Sequence, residues 1–258
     1  VGEYTTGIEG GVHNMDRAHK VHRGVIDSDS ETWDVALEFD PENSEGDLKA
    51  YHIHVVTVDK YTGDIWVNTG DSDQSSRIII SQDNGETWKV IGAGSQDWRC
   101  LSIWFTEDYI YWNMDTSSPQ SIWRLKRSDL PYQSPENDLK ERVALLEQGS
   151  MWYHCWAKFD NRNWVIMGQS AEGARRDGRG RIYAISEDGD EIHELFTTND
   201  AGSSSMIQWE PKIQDNAGFV YVNGRSTEIE GTVRCRLRYN YRPYRYKWVT
   251  PTFAQLFK

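Results

Sequence analysis

The stretch Ser81-Gln82-Asp83-Asn84-Gly85-Glu86-Thr87-Trp88 decides how the rest of the chain is read. It lies between two β-type runs, Arg77-Ile78-Ile79-Ile80 before it and Trp88-Lys89-Val90-Ile91 after it. Short polar residues and a glycine between such runs predict a tight hairpin. The Asp83 carboxylate is suited to accept backbone N–H groups inside the turn, and Gly85 to take a positive φ without a Cβ penalty. Thr87 begins the return strand, and Trp88 is large enough to anchor the turn to an apolar layer beneath it.

Outward from this hairpin, apolar β-runs recur at Ile65–Asn68, Ile110–Asn113, Trp164–Met167 and Phe219–Val222. The spacing is roughly 45 to 55 residues, in the range of propeller blades. Each run is preceded by another, at His52–Val58, Arg99–Phe105, His154–Phe159 and Gln208–Ile213, and followed by a third, at Arg77–Ile80, Ser121–Leu125, Arg181–Ile185 and Val233–Leu237. A fourth run closes three of the units, at Trp88–Ile91, Arg142–Leu146 and Ile192–Phe196. Each unit therefore reads as a four-stranded meander with strands A to D, and the hairpin motif falls in a C–D turn. The motif returns in altered form at Ser186-Glu187-Asp188-Gly189, and at Asp27–Trp33 with Ser30 in place of the glycine. Helical periodicity is scarce; Asp138–Gln148 carries the best of it and fits a D strand equally well.

At Ser81, Asp83, Gly85, Thr87 and Trp88 the hairpin resembles the Asp-box (BNR) repeat of sialidase-like β-propellers. The resemblance implies an all-β fold, a β-propeller of four-stranded antiparallel blades, and in that family the box is a structural turn. The expected organisation is one domain over residues 1–258. About five blades are visible, the first lacking its inner strand: Val1–Gly7 reads as the end of a B strand, His19–Ile26 as C and Trp33–Phe39 as D. Two completions fit, a strand from Thr250–Phe257 closing five blades, or membership of a six- or seven-bladed propeller. The resemblance also implies a complex or acidic glycan as the ligand class, so a carbohydrate partner that can be anionic, and an extracellular or surface-associated setting.

Composition narrows the function classes. The chain has 258 residues, 12 Trp and 13 Tyr, yet only 38% apolar residues, which suits many short amphipathic strands better than long buried helices. A net charge of −12 argues against general affinity for nucleic acid. No apolar run approaches a membrane span, so no membrane insertion is expected, and no signal peptide is recognisable. Cys100, Cys155 and Cys235 form neither a CxxC pair nor a disulfide framework. No metal and no cofactor are expected, although the acidic segments Asp27–Asp29 and Asp71–Asp73 leave room for a structural calcium outside any EF-hand pattern.

In a meander the D–A and B–C connections share one end of the blade, and the A–B and C–D connections share the other. The Asp box marks the second end, so a ligand site is expected at the first, where A strands begin and B strands finish. Those positions carry Tyr51, His52 and His54; Trp98 and Arg99; Trp152, Tyr153 and His154; and, on the B side, Tyr4, Asp71, Asp115 and Glu172. Aromatic faces stack on sugar rings, whereas Arg and His bind anions. His52 and His54, spaced i and i+2, share a strand face and suit a proton-transfer pair, a metal pair or two polar channel residues.

Catalytic roles are expected at His52, His54, Arg99, Tyr153 and His154, and substrate contacts at Tyr4, Tyr51, Asp71, Trp98, Asp115, Trp152, Glu172 and Arg175. The resembled sialidases use an arginine cluster, a tyrosine nucleophile with a glutamate, and an aspartic acid/base. Here Arg99 is the one good channel arginine, Tyr4, Tyr51 and Tyr153 are candidate tyrosines, and the family's Arg-Ile-Pro signature is absent. Lysis of a polysaccharide by β-elimination would use His52 or His154 as base, Tyr153 as acid and Arg99 as the neutralising cation. Hydrolysis would use two facing carboxylates among Asp71, Asp115, Glu3 and Glu172. A non-catalytic glycan-binding or assembly module, such as a cell-surface or virion component, is the alternative.

Two basic segments stand apart. In Arg234–Arg242 the arginines fall on alternate positions, which puts them on one face of a strand, either solvated or docking a protein partner or an acidic polymer. The loop Arg175–Arg181 is basic within an acidic protein and suits an anion-gripping B–C loop.

Overall fold

The computed structural model describes residues 2, 19–26, 31–39, 52–116, 119–170, 180–197, 208–225 and 231–236. Val, Ile, Trp and Tyr in short runs between Gly, Asp and Ser turns give strands almost throughout, as these branched and aromatic side chains favour a pleated, half-buried surface. In chain order they are β1 (His19–Ile26), β2 (Glu31–Phe39), β3 (His52–Val58), β4 (Ile65–Gly70), β5 (Arg77–Ser81), β6 (Lys89–Ala93), β7 (Ile103–Phe105), β8 (Tyr109–Asn113) and β9 (Pro119–Lys126). There follow β10 (Glu141–Gln148), β11 (Met151–Phe159), β12 (Arg162–Gln169), β13 (Arg181–Ser186), β14 (Ile192–Thr197), β15 (Gln208–Gln214), β16 (Phe219–Arg225) and β17 (Gly231–Arg236). Two short 3-10 turns, Gln96–Trp98 and Arg127–Asp129, complete the described elements. No described helix is long and apolar enough to cross a membrane.

The strands pair with their sequence neighbours in consecutive antiparallel meanders: β1-β2, β3-β4-β5-β6, β7-β8-β9-β10, β11-β12-β13-β14 and β15-β16-β17. Three of these are the four-stranded antiparallel sheets expected of the repeat, in an all-β chain. The first and last show two and three strands among the described residues, and of the run Arg99–Phe105 only Ile103–Phe105 is strand. The ambiguous segment Asp138–Gln148 resolves as strand: β10 takes Glu141–Gln148. Gly2 forms an antiparallel bridge to Val21 of β1, which accords with a B strand ahead of it. The segments 3–18, 40–51, 171–179, 198–207, 226–230 and 237–258 lie outside the described residues, and with them the C-terminal closing strand, the loop arginine Arg175 and most of the Arg234–Arg242 strand.

The chain falls into two compact units, one running to Asp115 and taking in Ser121–Leu145, the other made of Thr116–Gln120 and the residues from Leu146 onward. In the first unit, strand alternation buries both faces of the β3–β6 sheet. Val67, Ile79 and Ile53 pack with Val21 and Phe39 of the β1–β2 sheet. Their neighbours Trp66, Ile78 and Ile80 point the other way, against Ile103, Phe105, Ile110, Trp112 and Leu125 of the following sheet. In the second unit Trp164, Ile166, Ile182 and Ala184 pack with Val220 and Val222 of β16. Cys100 and Cys155 are buried free thiols, and burial pushes Cys155 up to about 12.

The stretch Ser81–Trp88, which resembles an Asp box, forms the β5–β6 turn. Ser81 Oγ donates to Asp83 Oδ1 at 2.8 Å and accepts from the Gly85 amide at 2.7 Å. The Thr87 amide and hydroxyl both donate to Asp83, at 2.8 and 2.5 Å. Gly85 has φ 87°, the left-handed conformation that makes a glycine necessary there. Trp88 Nε1 donates to the Ala36 carbonyl at 2.8 Å, tying the turn to β2. Ala36 is free to accept because the β1–β2 register slips at that residue, pairing Val21 with Leu37 and His22 with Val35. The same device recurs one sheet on without a box: Ile91 is skipped between β5 and β6, and its carbonyl accepts from the buried Gln133 Nε2 at 2.8 Å.

Candidate functional site

The end of the β3–β6 sheet opposite the Asp box holds a cluster of five ionisable side chains. His52 opens β3, Asp71 follows the last residue of β4, Arg99 follows the 3-10 turn Gln96–Trp98, and Asp115 lies just beyond β8. His52 thus begins the first strand of its sheet, Asp71 and Asp115 follow second strands, and Arg99 lies in the connection that leads to β7. The Asp115 amide donates to the Arg99 carbonyl at 3.0 Å, which fixes the two segments to each other.

His54 reaches the cluster through a bulge. The β3–β4 register pairs Ile53 with Thr69 and Val55 with Asn68, so His54 is the extra residue and its side chain is re-aimed toward Gly70. Gly70 is needed there for space: a Cβ would lie 2.5 Å from His54 Cε1 and 2.9 Å from Arg99 Cγ. Simple i, i+2 alternation predicted a shared face; the structure brings the rings together, 6.0 Å apart, with the bulge between them.

Asp71 is the hub. His52 Nδ1 lies 2.6 Å from its Oδ2, and His54 Nε2 and Arg99 Nη2 lie 3.3 and 3.0 Å from its Oδ1. Burial works against the charge on Asp71, but the contacts from His52 and His54, with the Arg99 charge, outweigh it and hold this carboxyl well below the usual carboxylate range. Asp115, 8% exposed at its side chain, takes the same guanidinium from the other side, with Arg99 Nη2 at 2.9 Å and Nε at 3.1 Å from its Oδ2. The remaining Arg99 nitrogen, Nη1, donates to the Asp71 carbonyl at 3.0 Å and to Gln96 Oε1 at 3.4 Å. Arg99 is therefore engaged on every side by groups of this chain. His54 is 2% exposed at its side chain against 13% for His52, so His52 is the imidazole that faces solvent.

Of the residues expected to act together, His52, His54, Asp71, Arg99 and Asp115 are assembled. Trp98 is beside them in sequence but sits in the core at 3% exposure, stacked on Trp112 at 5.2 Å and approached by Lys140 at 4.6 Å. Both its faces are occupied by protein, whereas sugar stacking needs an open one. Trp152, Tyr153 and His154 belong to the second unit, on β11. The β11–β12 register slips between Met151 and His154, and Trp152 and Tyr153 meet edge to face with centroids 6.0 Å apart. Tyr153 is 41% exposed, and burial draws His154 down to about 4. Tyr4, Tyr51, Glu172 and Arg175 lie outside the described residues.

Gln96 and Gly70 are participants that sequence reasoning missed. Gln96 Nε2 donates to Asp73 Oδ1 at 2.9 Å and approaches the Asp71 carbonyl at 3.4 Å, clamping the loop after β4 to the turn that delivers Arg99. Only the position of Gln96, three residues before the candidate arginine, hints at this. The role of Gly70 depends on a bulge that no residue type announces.

No protein-family model matches the chain, and no curated protein matches it. Among solved structures it is similar to the Trypanosoma rangeli sialidase in complex with 2,3-difluoro-KDN, at 12% identity over 80% of this chain and 35% of that one, with TM-score 0.45. The same sialidase as its 2,3-difluorosialic acid covalent intermediate gives 12% identity, 84% and 37% coverage and TM-score 0.45. Its complex with sialic acid gives 11%, 84%, 37% and 0.44. This chain thus spans 35% to 37% of the length of those structures.

Proposed function

We propose that this chain is a carbohydrate-active Asp-box propeller that acts on a complex glycan, as a glycoside hydrolase or polysaccharide lyase, at the end of the blades opposite the box. The observation that carries the proposal is the His52–Asp71 pair, 2.6 Å from nitrogen to oxygen, at the partly open end of an otherwise internal ion network. A carboxylate against Nδ1 helps fix the orientation of the imidazole, and Nε2 is then the nitrogen that would exchange a proton, the arrangement that general acid–base catalysis uses. His52 is then the proton-transfer group, Asp71 and His54 position it, and Arg99 with Asp115 holds Asp71 in place.

This arrangement limits the chemistry. Hydrolysis by two carboxylates needs one of them protonated; Asp71 is held ionised, so it fits an orienting role rather than that of the acid. Neutralising a uronate in a lyase reaction needs a cation with charge to spare, and Arg99 already meets two carboxylates. Of the two reaction types the charge balance therefore favours hydrolysis of a glycan that is neutral at this point, whereas lysis would need a further cation for the uronate.

The test is a screen of neutral and acidic polysaccharides for new reducing ends and for unsaturated products, with His52→Gln beside the wild type. Turnover by the wild type, lost by two or more orders of magnitude in a folded His52→Gln variant, is the expected result. Saturable binding with no product in the wild type removes the enzyme. The engagement of Arg99 on all sides favours one second reading, a non-catalytic glycan-binding or assembly propeller in which the network is a structural brace; there, glycan binding survives the loss of His52 and His54 together.

A further inference from the structure

We propose that His52, His54 and Asp71 form a binding site for a divalent transition-metal ion of the zinc type. Among the described residues, these three side chains offer ligand atoms that all lie within 4.8 Å of one another. Two imidazoles and one carboxylate are the donor set that borderline-soft divalent ions prefer, whereas magnesium and calcium favour oxygen-only shells.

The distances fit with small adjustments. Zinc bonds of about 2.0–2.1 Å in a tetrahedron put neighbouring donor atoms roughly 3.4 Å apart. His54 Nε2 lies 3.3 Å from Asp71 Oδ1, already at that separation, and His52 Nδ1 lies 2.6 Å from the other oxygen, Oδ2, so the carboxylate has to turn to give one oxygen to both imidazoles. Three protein ligands leave a fourth position for water or a ligand, on the side where His52 and Asp71 reach solvent.

Charge points the same way. Asp115 engages Arg99 through both Nε and Nη2, which makes a nearly neutral pair beside the site. One guanidinium between the carboxylates of Asp71 and Asp115 leaves the cluster one negative charge over before the imidazoles are counted, which suits a cation. Arg99 can stay on Asp71 as an outer hydrogen bond, since metal-bound carboxylates are commonly held that way. The bulge at His54 and the missing side chain at Gly70 also gain a purpose, since together they turn a second imidazole onto the same carboxylate.

The proposal uses residues of the proton-transfer site above, but it does not rest on turnover. An ion held there would replace the His52–Asp71 contact, so the ion-bound and proton-transfer states exclude each other. The experiment is a calorimetric titration of the full chain, stripped with a chelator, with Zn2+. A parallel titration with Co2+ follows the visible absorption of tetrahedral coordination. One equivalent of Zn2+ with a tetrahedral Co2+ spectrum is expected, weakened by more than about tenfold in His54→Ala and in Asp71→Asn and unchanged in Asp83→Ala, which alters the opposite end of the sheet. Circular dichroism on each variant checks the fold, and the wild-type Co2+ spectrum stands even if a variant fails to fold. Absence of stoichiometric Zn2+ binding, or binding that survives His54→Ala, overturns the site. Zinc binding without glycan turnover would leave the ion site standing and remove the enzyme; turnover without zinc binding would do the reverse.

Discussion

Two aspartates at opposite ends of the β3–β6 sheet show two ways of holding a carboxylate. Asp83 is held by neutral donors that lie within a few residues of it: the Ser81 hydroxyl and the amide and hydroxyl of Thr87. Asp71 is held by His52, His54 and Arg99, gathered from two segments distant in sequence, β3 and the turn ahead of β7. The first arrangement satisfies the turn that makes it and leaves nothing over. The second assembles titratable groups that a turn does not need, which is the ordinary mark of a functional site. The difference lies in the type and origin of the donors, since both carboxyls are held below their ordinary value.

The largest effect that would sharpen this contrast is expected at Arg99. Arg99→Ala removes the guanidinium that pairs with both Asp71 and Asp115, and leaves His54, 3.3 Å from one carboxylate and 3.9 Å from the other, as their remaining shared neighbour. Breaking a buried pair costs about 3–5 kcal/mol, and the partial exposure of Arg99 lowers the expectation to about 2–4 kcal/mol, read as a shifted urea midpoint. An unchanged midpoint would mean that the network is no brace. His52→Gln should leave stability close to wild type, so it is the cleaner probe of activity. Next in size is Gly70→Ala. Its methyl would meet His54 Cε1 and Arg99 Cγ, and overpacking of this kind costs about 1–3 kcal/mol. It should also weaken Zn2+ binding, while Gly63→Ala, at a glycine whose Cβ would meet nothing, is destabilised through its positive φ alone and keeps the ion site.

The same contrast explains what was legible in the sequence. Asp83 and its donors fall within eight residues, so Ser81–Trp88 could be recognised directly, and it set the register of the strands on either side. Strand positions followed because Trp66, Ile78 and Ile80 alternate with Val67 and Ile79, and period-two burial is local information. The inner-strand positions of His52, Arg99, Asp71 and Asp115 also followed from topology. Their contacts did not, because they depend on a register slip at His54, on the space left at Gly70 and on a clamp from Gln96. Trp98 shows the limit from the other side: its position beside Arg99 suggested a sugar platform, but Gly92 opposite it admits the ring into the core, where an added Cβ would lie 2.2 Å from Trp98 Cε2.

Smaller effects are expected at the Asp-box end. Trp88→Phe keeps an aromatic anchor and loses the hydrogen bond to the Ala36 carbonyl, at a cost of about 1 kcal/mol. Gln133→Leu should have a comparable effect through the Ile91 carbonyl, and a neutral result at both would show that these carbonyls find water instead. The last test is one of pH. Hydrogen bonds from the Thr87 hydroxyl and amide, with lesser help from Ser81, pull Asp83 from 3.8 down to about 2. Because the folded value is the lower one, the stabilisation is fully present above 3.8 and disappears as the pH falls through about 2. Asp83→Ala should therefore melt below the wild type near neutral pH, by a margin that shrinks as the solution is acidified across that window, with Zn2+ binding and any turnover per folded molecule unchanged. A margin that stays constant with pH would mean that the box works through the shape of its turn rather than the charge on its aspartate, and a selective loss of turnover would place function at the end of the sheet where only structure is expected.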